Sequence, residues 1–435
     1  MKNKSFLFSA LIVIFSFTLF ANPDEQTELY NWLNSIDGIE VHKIEYDSTM
    51  FTEGYKVYIR QPVDHKNPDG PKFMQRIYIS HMDKDKPVVV NLAGYGIRNV
   101  TTELAKVIDA NQVNIEHRYF GESVPEPFDW QYLTVWQSAT DHHKIIELLK
   151  EYYKGKWVST GISKGGQTTI FHRRYYEDDV DASVPYVAPL NLEEEERRIY
   201  THLETVGTKE CRDKILAYQK ILLKNKVEII PLMEEYAKEK DMTFDHLGYE
   251  KAFEYAVLEY SFSFWQWFGP GCEDIPGENA TVEEMFEYLK KQRLLGYVED
   301  KNFTKLDPFF YQAFTEIGYY AYDTTPFEGL LDYAQEGTSH IFDPPGAEMT
   351  FNSDVMLDIR NWLRLNGNNM LYIYGENDPW AAPAVALTGR TNSIVMFKPE
   401  GNHRTRIKHF SKEDRQFILS KLEEWLDIEI NYEFE

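Results

Sequence analysis

The sequence WVSTGISKGG, residues 157–166, decides the fold of this chain. A short strand-like run leads into the pattern G-x-S-x-G, which has Ser163 at its centre and glycines at positions 161 and 165. Where a strand turns sharply into a helix, a side chain at either glycine position would clash with neighbouring backbone. The stretch therefore predicts a tight strand-to-helix turn that holds the Ser163 hydroxyl clear of a sheet.

Strand-like runs recur on both sides of this turn and alternate with helical patterns. Residues 55–59 and 75–79 alternate in polarity and flank a Pro/Gly/Asp cluster, which predicts an antiparallel pair. Strands alternating with helices predict a buried, mostly parallel sheet, and with the turn at Ser163 they predict an α/β fold with an α/β-hydrolase core. The other strand-like runs are 87–92, 112–115, 157–160, 182–187, 369–374 and 393–397, and helical patterns include 142–153 and 412–426.

The segment 190–350 interrupts this alternation. It is rich in charged and aromatic residues at helical spacing, which predicts an inserted, mainly helical cap domain. The hydrolase core is then expected in two parts, 22–189 and 351–435. The aromatic stretch 260–268 is interpreted as packing inside the cap rather than as a wall for a ligand, because aromatic clusters usually serve packing.

A serine hydroxyl needs a base to become nucleophilic, and the base needs a carboxylate that orients it. In this fold class the residues follow the chain order Ser, Asp or Glu, His. Asp378 follows one late strand and His403 follows the next, so both are expected at the edge of the sheet where Ser163 lies. Asp354 and Asp358 are rival carboxylates, but they precede the strand. The sequence predicts a catalytic triad of Ser163, Asp378 and His403.

Acyl transfer also requires two backbone donors that stabilise an oxyanion. The N–H of Lys164, directly after the serine, is one candidate. The other is the N–H of Tyr95, because the glycines on either side of it let backbone approach a ligand; the alternative is a plain Gly-rich turn. Neither a His-Glu-x-x-His spacing nor a Gly-rich phosphate loop is present, so we expect no metal and no cofactor.

The N-terminus has the pattern of a targeting segment. Lys2 and Lys4 precede an apolar run over 6–20, which ends near Ala21, so residues 1–21 are predicted to be a signal peptide. The alternative is a membrane anchor, but the run is rather short for a span of about 20 residues. We therefore expect export to a periplasm or to the extracellular medium, with no stable membrane insertion after cleavage.

Charge and cysteine content limit the partners and the compartment. The chain of 435 residues has 46 basic and 70 acidic residues and a formal net charge of −24, which disfavours nucleic acid as a partner. Its two cysteines, Cys211 and Cys272, can form one disulfide in an exported protein, or can remain two buried thiols.

Five segments carry a resemblance to a known family. They are Glu116-His117-Arg118-Tyr119-Phe120-Gly121-Glu122-Ser123, Ser163-Lys164-Gly165-Gly166, Tyr186-Val187-Ala188-Pro189, Val206-Gly207-Thr208 and Asp378-Pro379-Trp380. Together they resemble the bacterial secreted tripeptidyl aminopeptidase family, serine peptidases with an α/β-hydrolase fold. The resemblance implies an enzyme that removes short peptides from a free N-terminus, often with proline before the cleaved bond. The first and the last of these segments also resemble Pro-X carboxypeptidases and dipeptidyl peptidases.

Cleavage at a fixed distance from an N-terminus requires a group that binds the substrate's ammonium, and carboxylates suit that task. In the family, acidic residues shortly after the Ala-Pro segment have this role. The matching region here is 192–198, and Glu195 and Glu196 are the best match. The alternative is a solvated helix start, where acidic residues favour the helix dipole.

Two other functions remain open from the sequence. One is a secreted esterase or lipase on the same scaffold. The other is a non-catalytic peptide-binding protein that retains the hydrolase shell. The acidic run disfavours the first, and an intact triad disfavours the second. Peptides with a free N-terminus are the expected partners.

Overall fold

The computed structural model describes residues 27–268 and 271–432. Within them, nine strands form one sheet in the spatial order β1-β2-β3-β5-β4-β6-β7-β8-β9. In chain order these strands are β1 Ile39–Lys43, β2 Glu53–Pro62, β3 Lys72–His81, β4 Val88–Leu92, β5 Asn111–Ile115, β6 Trp157–Ile162, β7 Ala182–Tyr186, β8 Leu371–Gly375 and β9 Ile394–Lys398.

The sheet has an antiparallel part and a parallel part. Strands β1, β2 and β3 pair in antiparallel fashion, and Tyr55 lies opposite Ile79 in the register predicted for a hairpin. From β5 to β9 every neighbouring pair is parallel. The central parallel strands are buried along their length, because helices cover both faces.

The helices that the structure describes lie on both sides of the sheet and in a long insertion. Alternate residues of β4 show the two faces: Val88 and Val90 pack with α1 and α3, whereas Val89 packs with α2 and α13. These helices are α1 Glu28–Asn34, α2 Glu103–Val107, α3 Val135–Lys150, α4 Lys164–Tyr175, α5 Arg198–Thr205, α6 Lys209–Lys224, α7 Lys226–Lys240, α8 Tyr249–Ser263, α9 Val282–Lys291, α10 Leu294–Tyr297, α11 Asp300–Gln312, α12 Ser353–Leu365 and α13 Lys412–Leu426.

Helices α5 to α12 all lie between β7 and β8 in the chain. Single π-helical turns follow α8 at Phe264–Phe268 and α11 at Ala313–Ile317. Cys211 and Cys272 form a disulfide, with their Cα atoms 5.4 Å apart, which joins α6 to the segment after the first π-helical turn. The apolar core of this insertion continues to Tyr374 at the end of β8 and to Trp380.

The predicted α/β-hydrolase fold class is confirmed by this mostly parallel sheet with helices on both faces. The division into a core of 22–189 and 351–435 and a cap domain of 190–350 stays a prediction. The predicted signal peptide, 1–21, lies outside the described residues. Within the described part of the chain, no helix combines the length and apolarity that crossing a bilayer requires.

Candidate active site

Ser163 occupies the turn between β6 and α4 and has a positive φ of 58°. That conformation is strained for a residue with a side chain, and it is held by close packing of the flanking glycines. A Cβ atom at Gly161 would lie 2.1 Å from the Gly165 carbonyl oxygen, and one at Gly165 would lie 2.9 Å from the Leu92 carbonyl oxygen. Only glycine fits at both positions.

Asp378 and His403 lie on neighbouring loops, directly after β8 and β9. The Nδ1 atom of His403 lies 2.6 Å from Oδ2 of Asp378, and both side chains are buried. The other carboxylate oxygen, Oδ1, accepts a hydrogen bond of 3.2 Å from the Trp380 N–H, because Asp378 caps the short helix that starts at Pro379. The carboxylate is thereby fixed in a position that orients the imidazole ring.

Close packing of backbone brings the two loops together. A Cβ atom at Gly375, the last residue of β8, would lie 2.4 Å from the Asn402 carbonyl oxygen. The rival carboxylates are on α12, where Asp358 forms an ion pair with Arg174 on the protein surface. Asp378 is therefore the carboxylate that this structure brings to His403.

Ser163 and His403 line the same cavity. Among the described residues, no hydrogen bond joins the Ser163 hydroxyl to the His403 ring. Hydrogen bonds of this kind tighten when a substrate binds. The arrangement can provide a serine nucleophile, a base and an orienting carboxylate at one end of a cavity.

Two residues that line the cavity together with Ser163 have a backbone N–H group without a hydrogen-bond acceptor in the described part of the chain. One is Lys164 and the other is Tyr95, in the loop after β4. The loop after β4 and the start of α4 are in close contact, since a Cβ atom at Gly94 would lie 2.6 Å from the Lys164 carbonyl carbon. The position of these N–H groups suits donors to an oxyanion.

The side chain of Lys164 is buried and holds this loop in place. Its Nζ donates a hydrogen bond of 2.8 Å to the Gly94 carbonyl and lies over the rings of Tyr95 and Phe120. Burial lowers the pKa of the Lys164 amine well below its ordinary value. The hydrogen bond to the Gly94 carbonyl and the contacts with the Tyr95 and Phe120 rings thus stabilise this buried amine.

The segment 116–123, which carried much of the resemblance, has a supporting position. The buried Glu116 carboxylate accepts hydrogen bonds from the N–H groups of Ile97 and Glu122 and from the Ser123 hydroxyl. Arg118 forms an ion pair with Asp141 inside the protein. With its hydrogen bonds Glu116 braces the loop that contains Tyr95, and neither Glu116 nor Arg118 lines the cavity.

The cavity has a volume of about 830 Å³, and residues of the insertion form most of its walls. Several walls are aromatic, among them Phe262, Tyr319, Tyr320 and Trp380, whose rings contact one another. The exposed lining residues are mostly basic, and they include Lys291, Arg293 and Arg404. Arg404 directly follows His403, so the triad lies near the opening.

The aromatic stretch 260–268 has two roles, whereas the sequence interpretation gave it one. Tyr260, Phe264 and Trp265 are buried in the interior of the insertion, as expected. Phe262 and Trp267 line the cavity, and the Trp267 ring meets the His403 ring edge to face at 5.1 Å. Tyr260 and Phe264 are four residues apart and share one face of the helix, whereas Phe262 lies on the opposite face, and Trp267 belongs to the π-helical turn that follows α8.

Glu195 and Glu196, the predicted ammonium-binding residues, do not line the cavity. Glu195 is exposed and accepts a hydrogen bond from the Tyr200 hydroxyl. Glu196 is buried and forms an ion pair of 2.6 Å with Arg198, so a cation of the protein already neutralises its charge. The structure does not support the prediction. Instead, the Glu196 N–H donates a hydrogen bond to the carbonyl of Tyr319, a residue that lines the cavity.

Glu259 is a carboxylate in the cavity wall that the sequence reasoning missed. It lies on α8, is 2% exposed, and is the one acidic residue among the described lining residues. It accepts hydrogen bonds from the hydroxyls of Ser263, Tyr320 and Tyr322. Burial raises the pKa of Glu259 to about 7, against the opposing effect of these three donors. Glu259 directly precedes the aromatic stretch 260–268, and no spacing of residues there indicates that a carboxylate faces a cavity.

Among the described residues, no group of three or more His, Cys, Asp or Glu side chains is placed to hold a metal ion.

Comparison with known proteins identifies the relatives of this chain. The family model of the PS-10 peptidase S37 family matches residues 24–430. The prolyl tri/tetrapeptidyl aminopeptidase of Streptomyces mobaraensis is 32% identical over 387 residues, which cover 86% of this chain and 81% of that protein.

The matches among solved structures are more distant in sequence. The proline iminopeptidase of Mycobacterium smegmatis is 10% identical, with a TM-score of 0.42, covering 85% of this chain and 98% of that one. A 2-hydroxy-6-oxo-6-phenylhexa-2,4-dienoate hydrolase from Rhodococcus is 14% identical, with a TM-score of 0.35, covering 89% and 100%.

The family match extends over nearly the whole chain, and the sequence relative is similar over most of both lengths. The expected membership of the bacterial tripeptidyl aminopeptidases is thereby confirmed. The chain therefore belongs to the PS-10 peptidase S37 family, and it is a serine peptidase.

Proposed function

We propose that this enzyme is an exported exopeptidase that releases short peptides, tripeptides above all, from free N-termini through an acyl-enzyme on Ser163. We further propose that it prefers proline before the cleaved bond. The observation that carries the proposal is the shared cavity of Ser163 and His403, whose ring is held by Asp378. The name of the relative from Streptomyces mobaraensis, a prolyl tri/tetrapeptidyl aminopeptidase, supports the substrate class.

In the proposed mechanism Ser163 Oγ attacks the carbonyl carbon of the scissile peptide bond, and Nε2 of His403 takes the hydroxyl proton. Asp378 holds the Nδ1–H tautomer and stabilises the imidazolium that forms. The N–H groups of Lys164 and Tyr95 bind the oxyanion of the tetrahedral intermediate. His403 then gives its proton to the leaving amine, and water hydrolyses the ester on Ser163 by the same steps in reverse.

The dimensions of the cavity support short substrates. A volume of about 830 Å³ lies in the range of pockets that enclose small ligands, of about 300–1,000 Å³. Such a space holds a few residues of an extended peptide but not a folded chain. Cleavage at the triad would therefore release a short fragment from one end of a peptide.

The aromatic walls support a preference for proline. Phe262 and Trp380 meet edge to face, with ring centroids 5.2 Å apart, and both line the cavity that contains Ser163. Trp380 is two residues from Asp378, so its ring lies near the triad. A rigid, apolar pyrrolidine ring can pack against such faces with little loss of entropy.

The proposal of export rests on the sequence of residues 1–21. The disulfide between Cys211 and Cys272 supports it, because disulfides persist in oxidising compartments. N-terminal sequencing of the mature protein from culture supernatant and periplasm would test export. Intact Met1 in a cytoplasmic fraction would contradict it.

The central experiment uses chromogenic tripeptides with proline before the leaving group, each with a free and an acetylated N-terminus. A short-chain ester serves as a third substrate. We expect cleavage of the free peptide alone, and its loss in Ser163→Ala. Equal cleavage of both peptides would contradict exopeptidase action. Turnover of the ester without cleavage of peptide would assign an esterase, and failure of a fluorophosphonate to label Ser163 would contradict the triad.

A further inference from the structure

A substrate with a free N-terminus brings a positive charge into the cavity, and the protein needs a negative group to receive it. Charges that are buried in proteins are ordinarily paired. Most buried carboxylates of this protein have such a partner: Asp141 pairs with Arg118, and Glu116 pairs with Arg76. Glu259 differs, because no Lys, Arg or His of the described residues forms an ion pair with it.

Glu254, one and a half turns earlier on α8, shows the difference. It is as buried as Glu259, but Lys226 forms an ion pair with it at 2.9 Å. The backbone N–H groups of Asp332, Tyr333 and Ala334 also donate to it. Both carboxylate oxygens of Glu254 are thus fully used inside the fold, and it does not line the cavity.

Glu259 has capacity left for a ligand. An ionised carboxylate accepts about four hydrogen bonds, and three hydroxyl groups donate to this one. Hydroxyls stabilise the charge only in part and leave it without a counter-ion. The carboxylate of Glu259 can therefore accept about one more hydrogen bond. Because Glu259 lines the cavity, a substrate's ammonium group can donate it.

The charges along the cavity define a direction. Glu259 is buried, whereas the basic lining residues Lys291, Arg293 and Arg404 are exposed. Arg404 follows His403 in the chain and lies over Trp267, so the triad lies toward the basic, open side. A peptide that placed its ammonium at the acidic, buried side would present a bond near its N-terminus to Ser163.

We propose that the Glu259 carboxylate binds the ammonium group of the substrate's N-terminus and so restricts cleavage to peptides with a free amine. This inference rests on the proposed exopeptidase function. Ser263, Tyr320 and Tyr322 hold the carboxylate in place. Glu259 then takes the role that the sequence gave to Glu195 and Glu196.

The test compares the wild-type protein with Glu259→Gln and with Glu254→Gln as the matched control on the same helix. The readout is the ratio of kcat/KM for a free tripeptide to kcat/KM for its acetylated form. We expect Glu259→Gln to lower this ratio about 100-fold, mainly through KM, which corresponds to about 2.7 kcal/mol. Glu254→Gln should keep the wild-type ratio in whatever fraction folds. An unchanged ratio in Glu259→Gln would overturn the inference.

Binding to inactive protein separates this inference from the proposed function. Calorimetry of the same two peptides with Ser163→Ala should show tighter binding of the free form, and Ser163→Ala/Glu259→Gln should lose that preference. Loss of the preference without any wild-type cleavage would support Glu259 and contradict the proposed function. Equal binding of both peptides to Ser163→Ala would overturn the role of Glu259, even if the enzyme cleaves peptides.

Discussion

The backbone N–H of His403 donates a hydrogen bond of 3.0 Å to the carbonyl of Gln266, which lies in the π-helical turn of the insertion. A second bond, from Nδ2 of Asn402 to the Trp267 carbonyl, runs parallel to it at 3.2 Å. The insertion thus contacts the loop of the proposed base directly, and its geometry contributes to where the imidazole ring lies.

Replacing Trp267 by alanine should therefore lower the activity of the folded enzyme as well as its stability. The residue is 38% exposed and its ring packs on His403, so its truncation should lower the free energy of unfolding by about 1–3 kcal/mol. Because it packs edge to face on His403, we expect kcat/KM to fall about 10-fold. Kinetics beside thermal unfolding would check this. Phe417→Ala, at similar exposure on α13, is the control, and equal kinetic losses in both would contradict the prediction.

Gly161→Ala should damage the turn at Ser163. The added methyl group would lie 2.1 Å from the Gly165 carbonyl oxygen, which forces a backbone shift that costs about 1–3 kcal/mol or more. We expect a lower melting temperature and less labelling by a fluorophosphonate. Gly277→Ala is the matched control, since no atom lies within 4 Å of its added methyl group. Normal labelling of Gly161→Ala would show that the turn tolerates the shift.

Lys164→Met should impair catalysis through the loop that contains Tyr95. Methionine keeps an unbranched side chain, shorter by one atom, but it cannot donate the hydrogen bond of 2.8 Å to the Gly94 carbonyl. Loss of one oxyanion donor costs about 10²–10³-fold in kcat, and a displaced donor should cost about 10–100-fold with little change in KM. Steady-state kinetics beside Lys144→Met, an exposed lysine on α3, would measure it. A rise in KM at constant kcat would contradict an effect on the transition state.

Glu259 should make the substrate-free protein less stable as the pH rises. Its pKa is about 7 in the folded protein against 4.5 for an ordinary glutamate, so the folded state binds more protons between these values. The free energy of unfolding should fall by about 3 kcal/mol as the pH rises from 4.5 through 7, and this contribution stays lost above 7.

Urea unfolding at pH 5 and at pH 8 would measure this effect in wild type and in Glu259→Gln. The amide does not ionise, so between pH 5 and pH 8 the variant should lose less stability than the wild type, by about 2.5 kcal/mol. Parallel pH profiles for the two proteins would show that Glu259 ionises normally in the fold.

Much of the fold and of the candidate site could be predicted from the sequence, because their physical requirements are local. Glycines are required at 161 and 165 because the backbone at these positions packs closely at the turn around Ser163. Asp378 and His403 each directly follow an apolar strand, and parallel strands end at one edge of a sheet. Such signals are legible without knowledge of what packs against them.

Features that depend on distant partners were missed or mistaken. Helix α3 begins at Val135, seven residues before the pattern found in the sequence, because buried polar residues such as Asp141 obscure its apolar face. The sequence predicted that Glu196 binds the substrate's ammonium. Only the folded structure shows that Arg198 forms an ion pair with Glu196 and that Glu196 does not line the cavity. For Glu259 the informative fact is that no Lys, Arg or His in the described part of the chain pairs with it, and no sequence pattern records such a fact.

The separation of charge along the cavity also gives it an electric dipole. A short peptide is a zwitterion with a dipole of its own, and such a cavity would align it before any pocket is filled. The torque from Lys291, Arg293 and Arg404 acts through water and weakens beyond about 8 Å at physiological ionic strength. The pull of the enclosed Glu259 is screened far less. Added salt should therefore lower the association rate of peptides more than it lowers the affinity of the bound peptide for Glu259.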